Sequence, residues 1–444
     1  MATKSRTSVL PPLAPERDLL DFIDASPTPY HAVATAIARL GAHGFTALDE
    51  REPWKLEPGA RRYVVRGGSS VAALIVGAKP PAEGGFRLVG AHTDSPGLRL
   101  KPRPGMASVG QVLLDVEVYG SPILATWLDR DLSLAGRVVH ERDGRLATTR
   151  VRVDHPVCRL SSLAIHLNRG VNEDGLKLDR HRHLAPALGC LDAAGDPSAV
   201  ALGVLAEAAG CRREDLRGFD VALFDTQPGA VVGLAGEFVS SPRLDNLASC
   251  HAAVRALLAA PPSAATAVAV LFDHEEVGSE TAEGAGGGWL RELLGRVTEA
   301  VPAPGGLPRA LARSMLVSAD MAHAVHPNHP DKHDGIHTPR MNEGPVVKTN
   351  AGKRYATDAE TAAQFRQICR ASDVPCQDFV TRGDLACGST IGPIVSAGLG
   401  VRTVDVGNPM LSMHSARELA GTRDVALMIR AMTRFLAAAD PLPW

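Results

Sequence analysis

The stretch Phe86-Arg87-Leu88-Val89-Gly90-Ala91-His92-Thr93-Asp94 decides how the rest of the chain is read. A short apolar run, the length of a buried strand, ends on an imidazole and a carboxylate two residues apart. The pattern returns three times. Residues 267–272 lead into Asp273-His274-Glu275-Glu276, residues 315–318 into Ala319-Asp320, and residues 402–406 into a loop that carries His414. In open α/β sheets ligands gather outside the carboxyl ends of the strands. Four strands are therefore expected to bring imidazoles and carboxylates to one edge, and the expected fold class is α/β.

Helical signals separate these strands. Thr28 before Pro29 marks a helix start, with an apolar stripe through Ala32, Val33, Ala36, Ile37 and Leu40 and an end at Gly41. Helical spacing returns over residues 244–258, 361–371 and 423–437. Between about 98 and 235 the texture changes: residues 112–119, 132–139 and 149–154 alternate with a period near two, which reads as β-rich. Within it, residues 198–209 form a short helix with Ser198 in position to cap it. The strand-then-polar-cluster grammar of the outer thirds is absent from this middle. One discontinuous α/β domain, 1–97 with 236–444, is thus expected to be interrupted by a β-rich domain, 98–235.

Composition narrows the function classes. The 444 residues suit two or three domains, and 47 Lys+Arg against 49 Asp+Glu leave a formal charge of −2. No basic excess is available for phosphates, so nucleic acid is not the expected partner. The seven cysteines are scattered without a CxxC pair, which suits reduced thiols in a cytoplasm. Residues 1–18 lack the apolar core of a leader, and no run is long enough to span a membrane. The glycine cluster 284–288 lacks the GK[ST] of a phosphate loop.

The strand-end residues His92, Glu275, Glu276, Asp320 and His414, joined by Asp245 at a helix start, make two imidazoles and three carboxylates with one Glu to spare. That set suits divalent metals better than a thiolate site. Each member also has an ordinary alternative: a hydrogen-bonded histidine, a solvated glutamate pair, or an aspartate capping a helix. From the residues alone both accounts stand.

Longer motifs bear on the choice. GAHTDSPGLRLKP (90–102), LAIHLNR (163–169), SPRLDN (241–246), DHEEVGS (273–279), SADMAHAVHPN (318–328), GPVVKTNAGKRYAT (344–357), CGSTIGP (387–393) and MHSARE (413–418) occur in this order. With Ser26-Pro27-Thr28-Pro29-Tyr30-His31, they resemble the M18 family of metallo-aminopeptidases, typified by aspartyl aminopeptidase, over essentially the whole chain. The resemblance implies a zinc-peptidase-like catalytic domain, its central mixed sheet flanked by helices, and an inserted β-rich dimerisation domain. It implies two divalent ions, zinc first with cobalt or manganese as alternatives. His92 and Asp320 would bind one ion, Glu276 and His414 the other, and Asp245 both. Asp94 would orient His92, and Glu275 would be the general base for a hydroxide held between the ions, its side chain pointing away from that of Glu276 along an extended segment.

The same resemblance places Lys348 and Tyr355 at the substrate's acidic side chain and developing oxyanion, and His323 in the pocket. His166 would serve a neighbouring subunit's active site within a dimer-based tetrahedral dodecamer. His326, in the same loop as His323, would shape the pocket or brace its neighbours, and His329, His333 and His337 receive no role. The expected activity is removal of N-terminal residues, preferably acidic, from short peptides, with no nucleic-acid or membrane partner. The alternatives are a broader aminopeptidase or deacylase of the same architecture, and a non-catalytic self-assembling shell with structural metals.

Overall fold

The computed structural model describes residues 14–190 and 195–438. Residues 1–13, most of the stretch read for a leader, lie outside the described residues. The central element is a nine-stranded mixed sheet. Its middle runs Ser70–Ile75, Thr266–Phe272, Phe86–His92, Met315–Ala319, Arg402–Gly407 and Val346–Thr349. The four strands singled out by their polar ends are consecutive neighbours and mutually parallel. Phe272 pairs with His92, and Ala319 with Val406, so their carboxyl ends lie level.

Why these strands are continuous apolar runs is visible in their packing. Every residue of Phe86–His92 and Thr266–Phe272 is buried, as parallel strands covered on both faces require. Side chains alternate between two cores. Val89, Ala91, Ala267 and Ala269 face helices Pro29–Ala42, Leu244–Ala259 and Thr422–Leu436. Phe86, Leu88, Val268 and Val270 face helices Trp289–Ala300, Gly306–Ala312 and Ile391–Leu399. The α/β reading holds.

A second, seven-stranded sheet is built from residues 97–225. Its strand Leu216–Asp225 pairs with both Gly97–Ser108 and Asp131–Arg142, which closes the sheet on itself and removes most of its free edges. The helix inside this segment is Pro197–Ala209, and its cap is Asp196, not Ser198. Proline has no N–H and takes the first helical position, so the capping residue must precede it; the Asp196 carboxylate accepts the Ser198 N–H at 2.9 Å. The helix begun at Pro29 also runs past Gly41 to Ala42, and the left-handed turn falls at Gly44.

A third sheet orders Ala230–Val232, Phe238–Ser241, Glu418–Gly421, Pro409–Leu411 and Ala322–His323. It went unread in the sequence. It carries the 412–418 loop to the carboxyl edge of the central sheet, against Asp245.

Candidate metal centre

His92 is the last residue of its strand, and its ring is buried at the sheet edge. Beside it the chain turns left-handed at His274 (φ 64°), and Glu275–Val277 form one 3₁₀ turn. This departs from the extended segment expected there. The cause is Asp94, whose carboxylate accepts the N–H groups of both Glu275 and Glu276 at 3.1 Å and curls the segment. As a result the two glutamates share one face: ligand atoms of His92, Glu275 and Glu276 all lie within 4.8 Å of one another. Asp245 precedes the regular helix, because the backbone leaves helical geometry at Asp245 and Asn246. Left-handed Ser412 and His414 turn the last loop inward.

These pieces converge. His92 Nε2 lies 3.5 Å from Asp245 Oδ1 and 3.6 Å from Asp320 Oδ1. His414 Nε2 lies 3.6 Å from Asp245 Oδ2 and 3.4 Å from Glu276 Oε1. The sets His92–Asp245–Asp320 and Asp245–Glu276–His414 each qualify as a metal-holding group. These gaps are too long for hydrogen bonds of normal geometry. They match donors around a tetrahedral zinc, which at bonds of about 2.0–2.1 Å sit roughly 3.3 Å apart. Asp245 Oδ1 is buried with no hydrogen-bond partner, an acceptor whose natural occupant is a cation. The residues therefore fit a zinc site.

The electrostatics agree. Burial works against charge on both rings, yet Asp245 and Asp320 raise the His92 pKa well above its usual value, and Asp245 and Glu276 raise that of His414 to about 11. Burial lifts Glu275 to about 8 and Glu276 to about 7, with neighbouring carboxylates adding to it. Carboxylates packed this closely need positive charge among them.

Around the cluster, other residues hold the candidate ligands. His92 Nδ1 faces the Asp94 carbonyl oxygen at 3.0 Å and Asp94 Oδ1 at 3.3 Å, and Tyr119 donates its hydroxyl to Asp94 Oδ2 at 2.7 Å. Buried Glu418 accepts the N–H of Asp245 at 3.0 Å and that of His414 at 2.7 Å. Asn246 reaches across to the Ala319 carbonyl at 2.8 Å, tying the Asp245 segment to the strand that delivers Asp320. Sequence reasoning missed Tyr119, Glu418 and Asn246, although Glu418 closes the MHSARE motif and Asn246 the SPRLDN motif. Orientation of ligands by such partners is normal for metal sites.

The cluster opens on a cavity of about 520 Å³, also lined by His323, Lys348, Tyr355, Ser389 and Thr390. Lys348 is buried, donates to the Met321 carbonyl at 3.1 Å and sits 3.9 Å from Asp320 Oδ2. Its ammonium lies 5.2 Å from the centre of the Tyr355 ring. His323 packs edge-on against Phe379. His166 is elsewhere: it is exposed on the turn Ile165–Leu167 and does not line this cavity. The remaining histidines brace their own loop. His333 accepts the His326 N–H at 3.0 Å, His326 stacks on His329, and His337 bonds Asp334 at 2.8 Å.

The profile of the family described as "Aminopeptidase I zinc metalloprotease (M18)" matches residues 22–436. The chain belongs to the M18 family. It is 49% identical over 424 residues to a Stutzerimonas stutzeri protein named "Probable M18 family aminopeptidase 2", covering 95% of this chain and 98% of that one. A solved structure of the Ape4 and Nbr1 complex resembles it with a TM-score of 0.92 at 38% identity, over 96% of this chain and 85% of that one. The S. cerevisiae mApe1 dodecamer gives 0.83 at 30% identity, over 95% of each. As an M18 protein this chain is a metallo-aminopeptidase, hydrolysing N-terminal peptide bonds, and the nitrogen and oxygen donors described above suit the family's zinc. The non-catalytic shell reading falls away. Among the described residues, no helix is long and apolar enough to cross a membrane.

Proposed function

We propose that this M18 aminopeptidase uses two zinc ions to remove acidic residues, Asp or Glu, from the N-termini of short peptides in the cytoplasm. The observation that carries the reading is the position of Asp245, whose two oxygens face different imidazoles and whose carboxylate is common to both ligand groups. Cobalt or manganese would satisfy the same donors. When bound, the ions polarise the scissile carbonyl and lower the pKa of water from about 16 to about 7. Glu275 faces the same space, takes the proton from the attacking water and returns it to the departing amine. Tyr355 donates its hydroxyl to the developing oxyanion. The same ions would also hold the free α-amine, which selects exo- over endopeptidase action.

Lys348 sets the preference for acidic residues. A buried ammonium at the cavity wall gains most from a carboxylate at the first position, because both charges are drawn out of water together. Replacing it, Lys348→Met, is expected to cost about a hundredfold in kcat/KM on Asp-derived chromogenic substrates and to leave Leu-derived ones nearly unchanged. A zinc-reconstituted scan of N-terminal residues tests the whole reading. Equal rates on Asp, Glu and Leu in the wild type would favour the broader aminopeptidase.

The division into residues 1–97 with 236–444 and an inserted 98–235 belongs to the same proposal, with the insert as the dimerising part of a tetrahedral dodecamer. Support comes from the insert's closed sheet and from its exposed apolar row, Leu163, Ile165 and Leu167 at 60%, 47% and 74% exposure. His166 lies within that row, and in this reading it enters a partner's cavity; the relative solved as a dodecamer is consistent with such an assembly. His166→Phe is expected to lower kcat more than it raises KM. Full activity in a dilute sample shown to be monomeric by light scattering would remove this role.

A further inference from the structure

One fully buried carboxylate lies behind the substrate-facing wall rather than in the metal cluster. Asp405, at 0% exposure in the middle of strand Arg402–Gly407, sits beneath the two loops that form the wall. Its Oδ2 accepts the Ala356 N–H at 2.6 Å, next to Tyr355. Its Oδ1 accepts the Thr390 hydroxyl at 2.6 Å, next to Ser389. Its own N–H donates to Thr357 Oγ1 at 2.9 Å, so main chain and side chain grip the same loop.

Thr390 is held from the other side too. Its hydroxyl accepts the Gly392 N–H at 3.2 Å and caps helix Ile391–Leu399. Gly392 approaches so closely that a Cβ there would lie 2.2 Å from Asp405 Oδ1. Cross-links join the two loops directly: Arg354 Nε donates to the Cys387 carbonyl at 3.3 Å, and Ser389 Oγ to the Arg354 carbonyl at 3.3 Å. The wall is thus one hydrogen-bonded unit, and Asp405 is its buried anchor.

We infer that Asp405 is a positioning residue: by holding Ala356 and Thr390 with one carboxylate it fixes the loop that presents Tyr355 to the cavity shared with the metal cluster, and it acts on catalysis through Tyr355. This rests on the role proposed for Tyr355. Misplacing a reacting group by about 1 Å can cost up to two orders of magnitude in rate. An asparagine can still accept the Ala356 N–H, but its NH₂ then faces Thr390, whose hydroxyl must turn from donor to acceptor, so the grip on that loop changes.

The test is a double-mutant cycle of Asp405→Asn with Tyr355→Phe, read by kcat/KM, zinc content and thermal midpoint. Asp405→Asn is expected to keep wild-type zinc and to lose about tenfold in kcat/KM, while on the Tyr355→Phe background it costs less than about threefold. A purely structural role gives additive losses or a zinc deficit, and either overturns the inference. So does Asp405→Asn with wild-type kinetics. If Tyr355→Phe alone is fully active, both the oxyanion role and the route through Tyr355 fall. If it is impaired but the cycle is additive, the inference falls alone. Should Asp405→Asn not fold, Thr390→Val, which removes one of the two grips at nearly constant volume, runs through the same cycle with the same criteria.

Discussion

Replacing Glu275 with Gln is expected to leave zinc content unchanged while kcat falls by about 10²–10⁴-fold, the usual contribution of a positioned proton-transfer group. The amide keeps the side chain's shape and cannot take a proton. The turn that presents residue 275 survives, because its bond to Asp94 comes from the main-chain N–H. Glu276, the neighbouring member of the His414 group, is untouched. Zinc per chain by atomic absorption and steady-state rates on a preferred substrate decide the matter together. Turnover within threefold of wild type would exclude Glu275 as the base.

Asp245→Ala is expected to have the larger effect: loss of both ions and at least about a thousandfold loss of activity. Neither oxygen of Asp245 is committed to another protein group strongly enough to define the fold, and Oδ1 has no hydrogen-bond partner at all. The bonds that fix this segment are main-chain ones, from the Asp245 N–H to Glu418 and from Ser95 to the Asp245 carbonyl, so the variant should fold. Without the shared carboxylate each imidazole keeps only one carboxylate of its group. Asp320→Ala, by contrast, should spare the ion held by Glu276 and His414. Zinc added to chelator-stripped wild type should also release protons, because His92 and His414 must surrender theirs to bind. An Asp245→Ala protein that retains one tightly held zinc and normal turnover would break the shared-ligand account.

The legible part of the site was the part lying at the ends of strands. Parallel strands buried on both faces must be apolar throughout, so a His or Asp at their last position stands out against the run. His92, Glu275, Glu276 and Asp320 were visible for that reason. Asp245 was visible only as a helix start, and its pairing with both imidazoles came from resemblance. Tyr119 was illegible because it acts on Asp94, far away in sequence, and Glu418 because only one of its two main-chain partners, the His414 N–H, is local, while the other, the Asp245 N–H, comes from a distant segment. The third sheet escaped because its strands Ala322–His323 and Pro409–Leu411 are too short to show a period. The 3₁₀ turn at Glu275 escaped because Asp94, not local propensity, creates it.

The parallel pairing of Phe86–His92 with Thr266–Phe272 also bears on the order of events during synthesis. His92 leaves the ribosome early, whereas its strand partner follows only after the entire closed sheet of residues 97–225 has been made. That sheet draws its partners from its own segment and can fold in the interval, as domains do during translation. His414 follows long after both strands. A chain cut between Phe272 and His414 would carry only part of the candidate cluster, with correspondingly little hold on a metal ion.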